Sequence, residues 1–292
     1  MPTARANGID VEYETFGDPT DPAMMLIMGL GGQLIAWDTD LCNRLAGHGF
    51  RVVRFDNRDV GLSTKIEAGP VPDIMAVMQG DRSSVSYSLE DMAADATGLL
   101  DALGVEKAHI VGVSMGGMIA QVVAIDHPDR VLSLASIMST TGDPSVGAPT
   151  PEAMAVLMRP PPQERDDVIA GEVETHKAIG SPGFPVDEER TRRRAAAAYD
   201  RSFYPQGVAR QVAAVVAASD RTEGLSHLDV PTVVIHGTAD PLVTPSGGEA
   251  TAKAVPGAEL IMVEGMGHEL PPGAWETVVE AVVRNAAKAG SR

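Results

Sequence analysis

The stretch that decides the fold is Ala108–Ile125, AHIVGVSMGGMIAQVVAI. Its first six residues, Ala108–Val113, form a continuous apolar run of the kind found in strands covered on both faces. Ser114 interrupts the run. The small residues Gly116, Gly117 and Ala120 then open a helix over Met115–Ile125, which the pair His127-Pro128 ends. A second apolar run, Val131–Met138, follows at once. Strand, helix and strand in close succession predict a right-handed crossover between parallel strands, the unit of a doubly wound α/β sheet.

The same alternation extends in both directions. Upstream, Met24–Met28 reads as a buried strand running into the glycine loop Gly29-Leu30-Gly31-Gly32. Asp38–Ala46 reads as a helix that Gly47 and Gly49 release, and Arg51–Phe55 as a strand leading into the turn-rich Asp56–Ser63. Ser88-Leu89-Glu90-Asp91 has the form of a capping box, with an acid facing the positive end of the helix. The helix it opens, Leu89–Leu103, carries Met92, Ala96, Leu99 and Leu103 on one face and stops at Gly104. Downstream, strands are expected at Pro231–His236 and Glu259–Val263, with helices near Gly247–Ala254 and at Trp275–Ala287.

Between these halves the pattern breaks. Asp143–Leu225 contains Pro144, Pro149, Pro151, the triplet at 160–162, Pro182, Pro185 and Pro205, with helical patches and no convincing strand. It is best described as an insertion at 143–225 dividing a core formed by 1–142 and 226–292. Its basic cluster Arg190, Arg192, Arg193 and Arg194, next to Glu188 and Glu189, reads as a solvated, charge-paired helix face.

Composition narrows the function. Among 292 residues, 23 Lys and Arg face 40 Asp and Glu, a formal charge of −17 that disfavours nucleic acid and any strongly anionic substrate. Cys42 is the only cysteine, so an internal disulfide is excluded, and the thiol is expected to pack as a small apolar residue. Aromatic residues make up 4% of the chain, which predicts a binding pocket lined by Met, Leu, Val and Ala. Met1–Asp10 lacks the apolar centre of a signal peptide, and Ala23–Leu30 is far shorter than the roughly 20 residues that span a bilayer. A cytoplasmic protein with no membrane partner is therefore expected. No two histidines have metal-site spacing, so no metal is expected.

Ser114 sits at a sharp strand-to-helix turn, in Gly112-Val113-Ser114-Met115-Gly116, where neighbouring chains leave no room for side chains on the glycines. A serine hydroxyl needs a base within hydrogen-bond reach, and the base needs an acid to orient it. His268, in Gly265-Met266-Gly267-His268 just after the last expected strand, is the candidate base. His48, His109, His127, His176, His227 and His236 read as structural. Asp240, reached from the 232–236 strand through Gly237-Thr238-Ala239, is the candidate acid, ahead of Asp220 and Asp229. Acyl transfer also needs donors for an oxyanion. The backbone N–H of Met115, directly after the serine, and that of Leu30, in the glycine loop, fill that requirement.

These residues, in the order Ser114, Asp240, His268, give the sequence a resemblance to the α/β-hydrolase superfamily. The stretches Met28–Gly32, Phe55–Ser63, Gly112–Gly117 and Gly265–Pro271 resemble the esterase branch that includes the aclacinomycin methylesterases. Met28-Gly29 stands where many members have His-Gly, which removes a polar side chain but not the backbone donor. The resemblance implies a serine hydrolase without cofactor, acting on a small-molecule ester, with 143–225 as a helical lid after the sixth strand. Asp56–Ser63 is expected to shape the loop behind the nucleophile without a catalytic role. A lactonase, a carbon–carbon bond hydrolase, a perhydrolase or a small-molecule receptor on the same scaffold are the alternatives.

Overall fold

The computed structural model describes residues 1–157, 159 and 162–291, so Pro160 and Pro161 of the proline triplet lie outside the described residues. Eight strands form one sheet: β1 (Thr3–Ala6), β2 (Ile9–Phe16), β3 (Ala23–Ile27), β4 (Arg51–Phe55), β5 (Ala108–Val113), β6 (Val131–Ile137), β7 (Thr232–Gly237) and β8 (Glu259–Val263). Their spatial order is β1-β2-β4-β3-β5-β6-β7-β8, with β1 and β2 antiparallel to their neighbours and the rest parallel. The helices are α1 (Thr39–Ala46), α2 (Ile74–Met78), α3 (Leu89–Ala102), α4 (Met115–Asp126), α5 (Pro151–Leu157), α6 (Arg165–Ile179), α7 (Glu188–Arg201), α8 (Pro205–Ala217), α9 (Thr222–Leu225), α10 (Pro245–Ala254) and α11 (Trp275–Ala287).

The central strands are mostly apolar because both faces of the sheet are covered. On one face Met25, Ile27, Ala108 and Ile110 pack with Leu99 and Leu100 of α3 and with Ile119 and Val123 of α4. On the other, Met24, Leu26, Val111 and Val113 pack with Leu41 and Leu45 of α1 and with Val278 and Val282 of α11. Adjacent residues of one strand thus serve opposite cores, as the two-residue period of a strand requires. Cys42 is fully buried in the second core, where burial pushes its thiol up to about 12 and leaves it an apolar filler.

The expected elements form within one or two residues of their anticipated ends. The capping box on α3 is complete: Asp91 N–H donates to Ser88 Oγ (3.3 Å) and Ser88 N–H to Asp91 Oδ2 (2.9 Å). The sequence reading does not anticipate the hairpin β1–β2, because both strands are half-polar and β1, of four residues, lies at the sheet edge. Its signal was Asn7-Gly8, both at positive φ (44° and 79°), a two-residue turn between Ala6 and Ile9 that suits a type I′ hairpin.

Five helices, α5–α9, occupy the chain between β6 and β7, with no strand among the described residues. The arginines of α7 divide between two environments. Arg192 and Arg193 face solvent and lie near Glu188 (3.9 Å) and Glu189 (3.4 Å). Arg190 instead pairs with Asp38 (2.6 Å), and Arg194 donates to the Ala36 carbonyl (2.7 Å), so half of the cluster expected to be solvated docks α7 onto the core. Among the described residues, no helix is long and apolar enough to cross a membrane.

One buried histidine gives the fold a pH-dependent stability. His109 of β5 shares a 2.8 Å hydrogen bond with Ser133 and meets the edge of Phe50. Burial pushes its imidazole down to about 4, so between pH 4 and its ordinary value of about 6.5 the unfolded chain holds a proton that the folded chain does not. The corresponding stability is fully present above pH 6.5 and is lost as the pH falls to 4. Urea unfolding at a series of pH values is expected to show wild type losing about 3 kcal/mol more across this window than His109→Gln.

Candidate active site

Ser114 joins β5 to α4 with φ 55° and ψ −121°, a conformation that non-glycine residues reach only when their surroundings enforce it. The enforcement is visible atom by atom. Ser114 N–H donates to Ile137 O (2.9 Å), and Ser139 Oγ donates to Ser114 O (2.9 Å), so the end of β6 grips the turn from both sides. A Cβ on Gly112 would lie 2.0 Å from Gly116 O, and one on Gly116 would lie 2.1 Å from Ile27 O. Both glycines are required by close approach of backbone to backbone.

The structure brings together the three side chains that sequence reasoning singled out. His268 Nε2 lies 2.9 Å from Ser114 Oγ, and His268 Nδ1 lies 2.8 Å from Asp240 Oδ2. A carboxylate only accepts, so Nδ1 carries the proton and Nε2 is left to accept from the hydroxyl. Asp240 is buried, and its other oxygen accepts from the N–H groups of Leu242 (2.9 Å) and Val243 (3.0 Å). The carboxylate is thus held by the turn that follows β7. The alternative acids lie elsewhere: Asp220 receives the N–H and hydroxyl of Thr222, and Asp229 is exposed beyond α9.

A second histidine, passed over as the end of a strand, lies under the acid. His236 is fully buried, donates from Nε2 to Val243 O (2.7 Å), and sits 3.5 Å from Asp240 Oδ2. Burial lowers its imidazole pKa, which favours the neutral ring. Only His268 of the two reaches the serine.

The loop carrying His268 is seated by the segment between β6 and β7. His268 N–H donates to Ile179 O (2.7 Å), at the end of α6, and Gly267 N–H donates to Ser181 Oγ (2.9 Å). Ser181 N–H donates in turn to Glu269 Oε1 (2.9 Å), whose other oxygen lies 3.3 Å from His176 Nδ1. A Cβ on Gly267 would lie 2.0 Å from Gly180 O, so this contact admits only glycine. His176 and Ser181 have no sequence signal pointing to the site, because they lie far from His268 along the chain.

Leu30 lies in the turn Gly29–Gly32, closed by Gly32 N–H donating to Gly29 O (3.1 Å), and Met115 is the first residue of α4. No group among the described residues accepts the N–H of either. The turn is supported from behind by the stretch expected to shape it. Asn57 Nδ2 donates to Met28 O (2.9 Å), and the fully buried Asp56 accepts from Leu34 N–H (2.6 Å) and pairs with Arg201 of α7 (2.7 Å). No cluster of three or more His, Cys, Asp or Glu side chains suited to a metal occurs among the described residues.

Comparison with known proteins agrees with this architecture. Residues 22–272 match the model of the alpha/beta hydrolase fold family. The chain is 28% identical to the rhodomycin D methylesterase of Streptomyces peucetius, over 97% of each chain. It is 26% identical to 3-oxoadipate enol-lactonase 2 of Acinetobacter baylyi, over 97% of this chain and 96% of the relative. Among solved structures, the enol-lactonase from Burkholderia xenovorans LB400 superposes with a TM-score of 0.72 at 25% identity, covering 98% of this chain and 100% of the other. With the family model spanning most of the chain and a parallel sheet whose central strand ends in a glycine-flanked serine, the chain belongs to the alpha/beta hydrolase fold family.

Proposed function

We propose that this chain is a serine hydrolase that cleaves carboxylic esters of small, largely apolar molecules. The observation that carries the reading is the unbroken hydrogen-bonded line from Ser114 Oγ through His268 to Asp240, beside two backbone N–H groups that no other described residue uses. His268 Nε2 takes the hydroxyl proton as Ser114 Oγ attacks the ester carbonyl, and the carbonyl oxygen becomes an oxyanion held by the N–H groups of Leu30 and Met115. As the carbon–oxygen bond to the leaving group breaks, His268 returns that proton to the departing alcohol. Asp240 keeps the imidazole in the productive tautomer and stabilises its cationic form. Water then repeats the cycle on the acyl-enzyme, releasing the acid and restoring Ser114. Each proton is taken and returned by His268, so the chemistry needs no cofactor.

The substrate reading draws on three supports. A chain of net charge −17 attracts no anion, and few aromatic residues leave Met, Leu, Val and Ala to line an acyl pocket. Similarity to a methylesterase favours a small leaving alcohol. The helices at 143–225 serve as a lid that both covers the site and seats the His268 loop. Lactone opening is the second reading, favoured by similarity to two enol-lactonases; a lactone is an internal ester, and its alcohol stays attached to the acyl group.

A fluorophosphonate probe is expected to label Ser114 in wild type and not in Ser114→Ala or His268→Ala. Hydrolysis of a p-nitrophenyl ester is expected to fall about 10⁴-fold or more in both variants. A folded wild type that neither labels nor hydrolyses would refute the proposal, and turnover of methyl esters against lactones distinguishes the two readings. Ser181→Ala, which frees the Gly267 N–H, is expected to lower kcat about 10-fold while the probe still labels Ser114. An unchanged kcat would show that the His268 loop holds its position without that contact.

A further inference from the structure

The geometry points to Gln211 as the residue that positions the oxyanion donor Leu30, an inference that rests on the serine-hydrolase reading above. Gly31 has φ 67° at the third position of the Gly29–Gly32 turn, as a type II turn requires. Gly29 C=O points into that turn, because it accepts from Gly32 N–H (3.1 Å). Leu30 N–H belongs to the same peptide unit, and in a trans peptide the N–H points opposite to the C=O. No peptide bond of the described chain is cis, so Leu30 N–H faces away from the turn. The turn abuts the nucleophile: a Cβ on Gly29 would lie 3.2 Å from Ser114 Cβ and 3.8 Å from Ser114 Oγ.

The peptide unit carrying Leu30 N–H is held through the units on either side of it. The preceding unit is fixed by Asn57 Nδ2, which donates to Met28 O (2.9 Å). The following unit is fixed by Gln211 Oε1, which accepts Gly31 N–H at 2.9 Å. That second unit is the one that turns over, by about 180°, when a type II turn becomes type I. Gln211 therefore holds the turn in its type II form, at the peptide unit directly after the one that carries Leu30 N–H.

Glutamine is suited to this place by its chemistry. The side chain is fully buried, with Nε2 donating to Arg58 O (2.8 Å) while Oε1 accepts from Gly31. The site offers one donor and one acceptor, which a side-chain amide matches with one orientation. A carboxylate would face the Arg58 carbonyl with no proton to offer, and an aliphatic side chain would leave two buried backbone groups unpaired. Gln211 lies on α8, which the neighbouring Arg210 anchors through Asp59 (2.9 and 3.3 Å). A helix of the inserted segment thus supplies the support for the oxyanion turn. Gln211 acts through Leu30 and does not itself reach the reacting atoms.

The test uses the full chain with Gln211→Met, which keeps the volume and removes both hydrogen bonds, and Gln211→Glu. Functional sites are counted by end-point fluorophosphonate labelling. The kcat and KM for a p-nitrophenyl ester are then measured per labelled site. The Ki of a trifluoromethyl ketone is measured as well, since its serine adduct places an oxyanion at the same position. Gln211→Met is expected to lower kcat about 10- to 100-fold with KM within about 3-fold, and to weaken Ki by the same factor as kcat. Gln211→Glu is expected to recover activity at low pH, where the protonated carboxyl imitates the amide, and to add an alkaline loss that wild type lacks. Wild-type kcat and Ki per labelled site in Gln211→Met would overturn the positioning role, whatever happens to Tm. Should that variant fail to fold, a wild-type pH profile and Ki in Gln211→Glu overturns it instead. A wild type that neither labels nor turns over would overturn the hydrolase reading and this role with it, whereas an active wild type matched by its variants overturns this role alone.

Discussion

The arrangement depends on one close approach, that of the Gly116 backbone to the carbonyl of Ile27, where a single added methyl would lie 2.1 Å from oxygen. This contact brings the start of α4 against the end of β3, directly after Ser114 in its positive-φ conformation. It also sets the Gly29–Gly32 turn, which continues from β3, beside the hydroxyl. β6, on the other side of β5, closes the grip through Ile137 and Ser139. A site at the carboxyl ends of adjacent parallel strands is where a doubly wound sheet leaves room for chemistry, because the helices that cover its faces diverge there.

Buried charges organise the second layer of support. Asp56 with Arg201, Asp59 with Arg210 and Arg58 with Asp95 place three consecutive or near-consecutive side chains of one loop in ion pairs with three different helices. Desolvation offsets much of the attraction in such pairs, so their value to this molecule lies in geometry rather than in stability. Arg201 and Arg210 belong to the segment between β6 and β7, and the loop they hold also carries Asn57, which supports the Met28 carbonyl. At the opposite end of the site, Ile179 and Ser181 of the same segment seat the His268 loop. The segment is therefore tied to both the Gly29–Gly32 turn and the His268 loop, and its helix α8 enters the core through Ala214.

Much of this was legible in the sequence because it rests on local chemistry. A strand buried on both faces must be apolar, a helix start favours a capping box, and a turn with no room for Cβ must use glycine. These rules located the central strands, α3 and the Ser114 turn, and the ends of strands marked Asp240 and His268. The edge hairpin β1–β2 was passed over, since edge strands need no apolar run and Asn7-Gly8 alone announced it. The arginine cluster of α7 was half misread, because helical spacing shows which residues share a face but not what the face meets.

What the sequence determined by itself is the order of elements, the three side chains that meet at the carboxyl ends of the strands and the glycines that flank the serine. Each follows from periodicity or from a steric limit acting within a few residues. Only the tertiary structure decided what supports them: His236 beneath Asp240, Ser181 beneath the His268 loop, and Gln211 behind the Gly29–Gly32 turn. Gln211 and Gly31 are separated by 180 positions. No local rule connects residues that distant, because their partnership exists only when α8 and the end of β3 have been packed against the same loop.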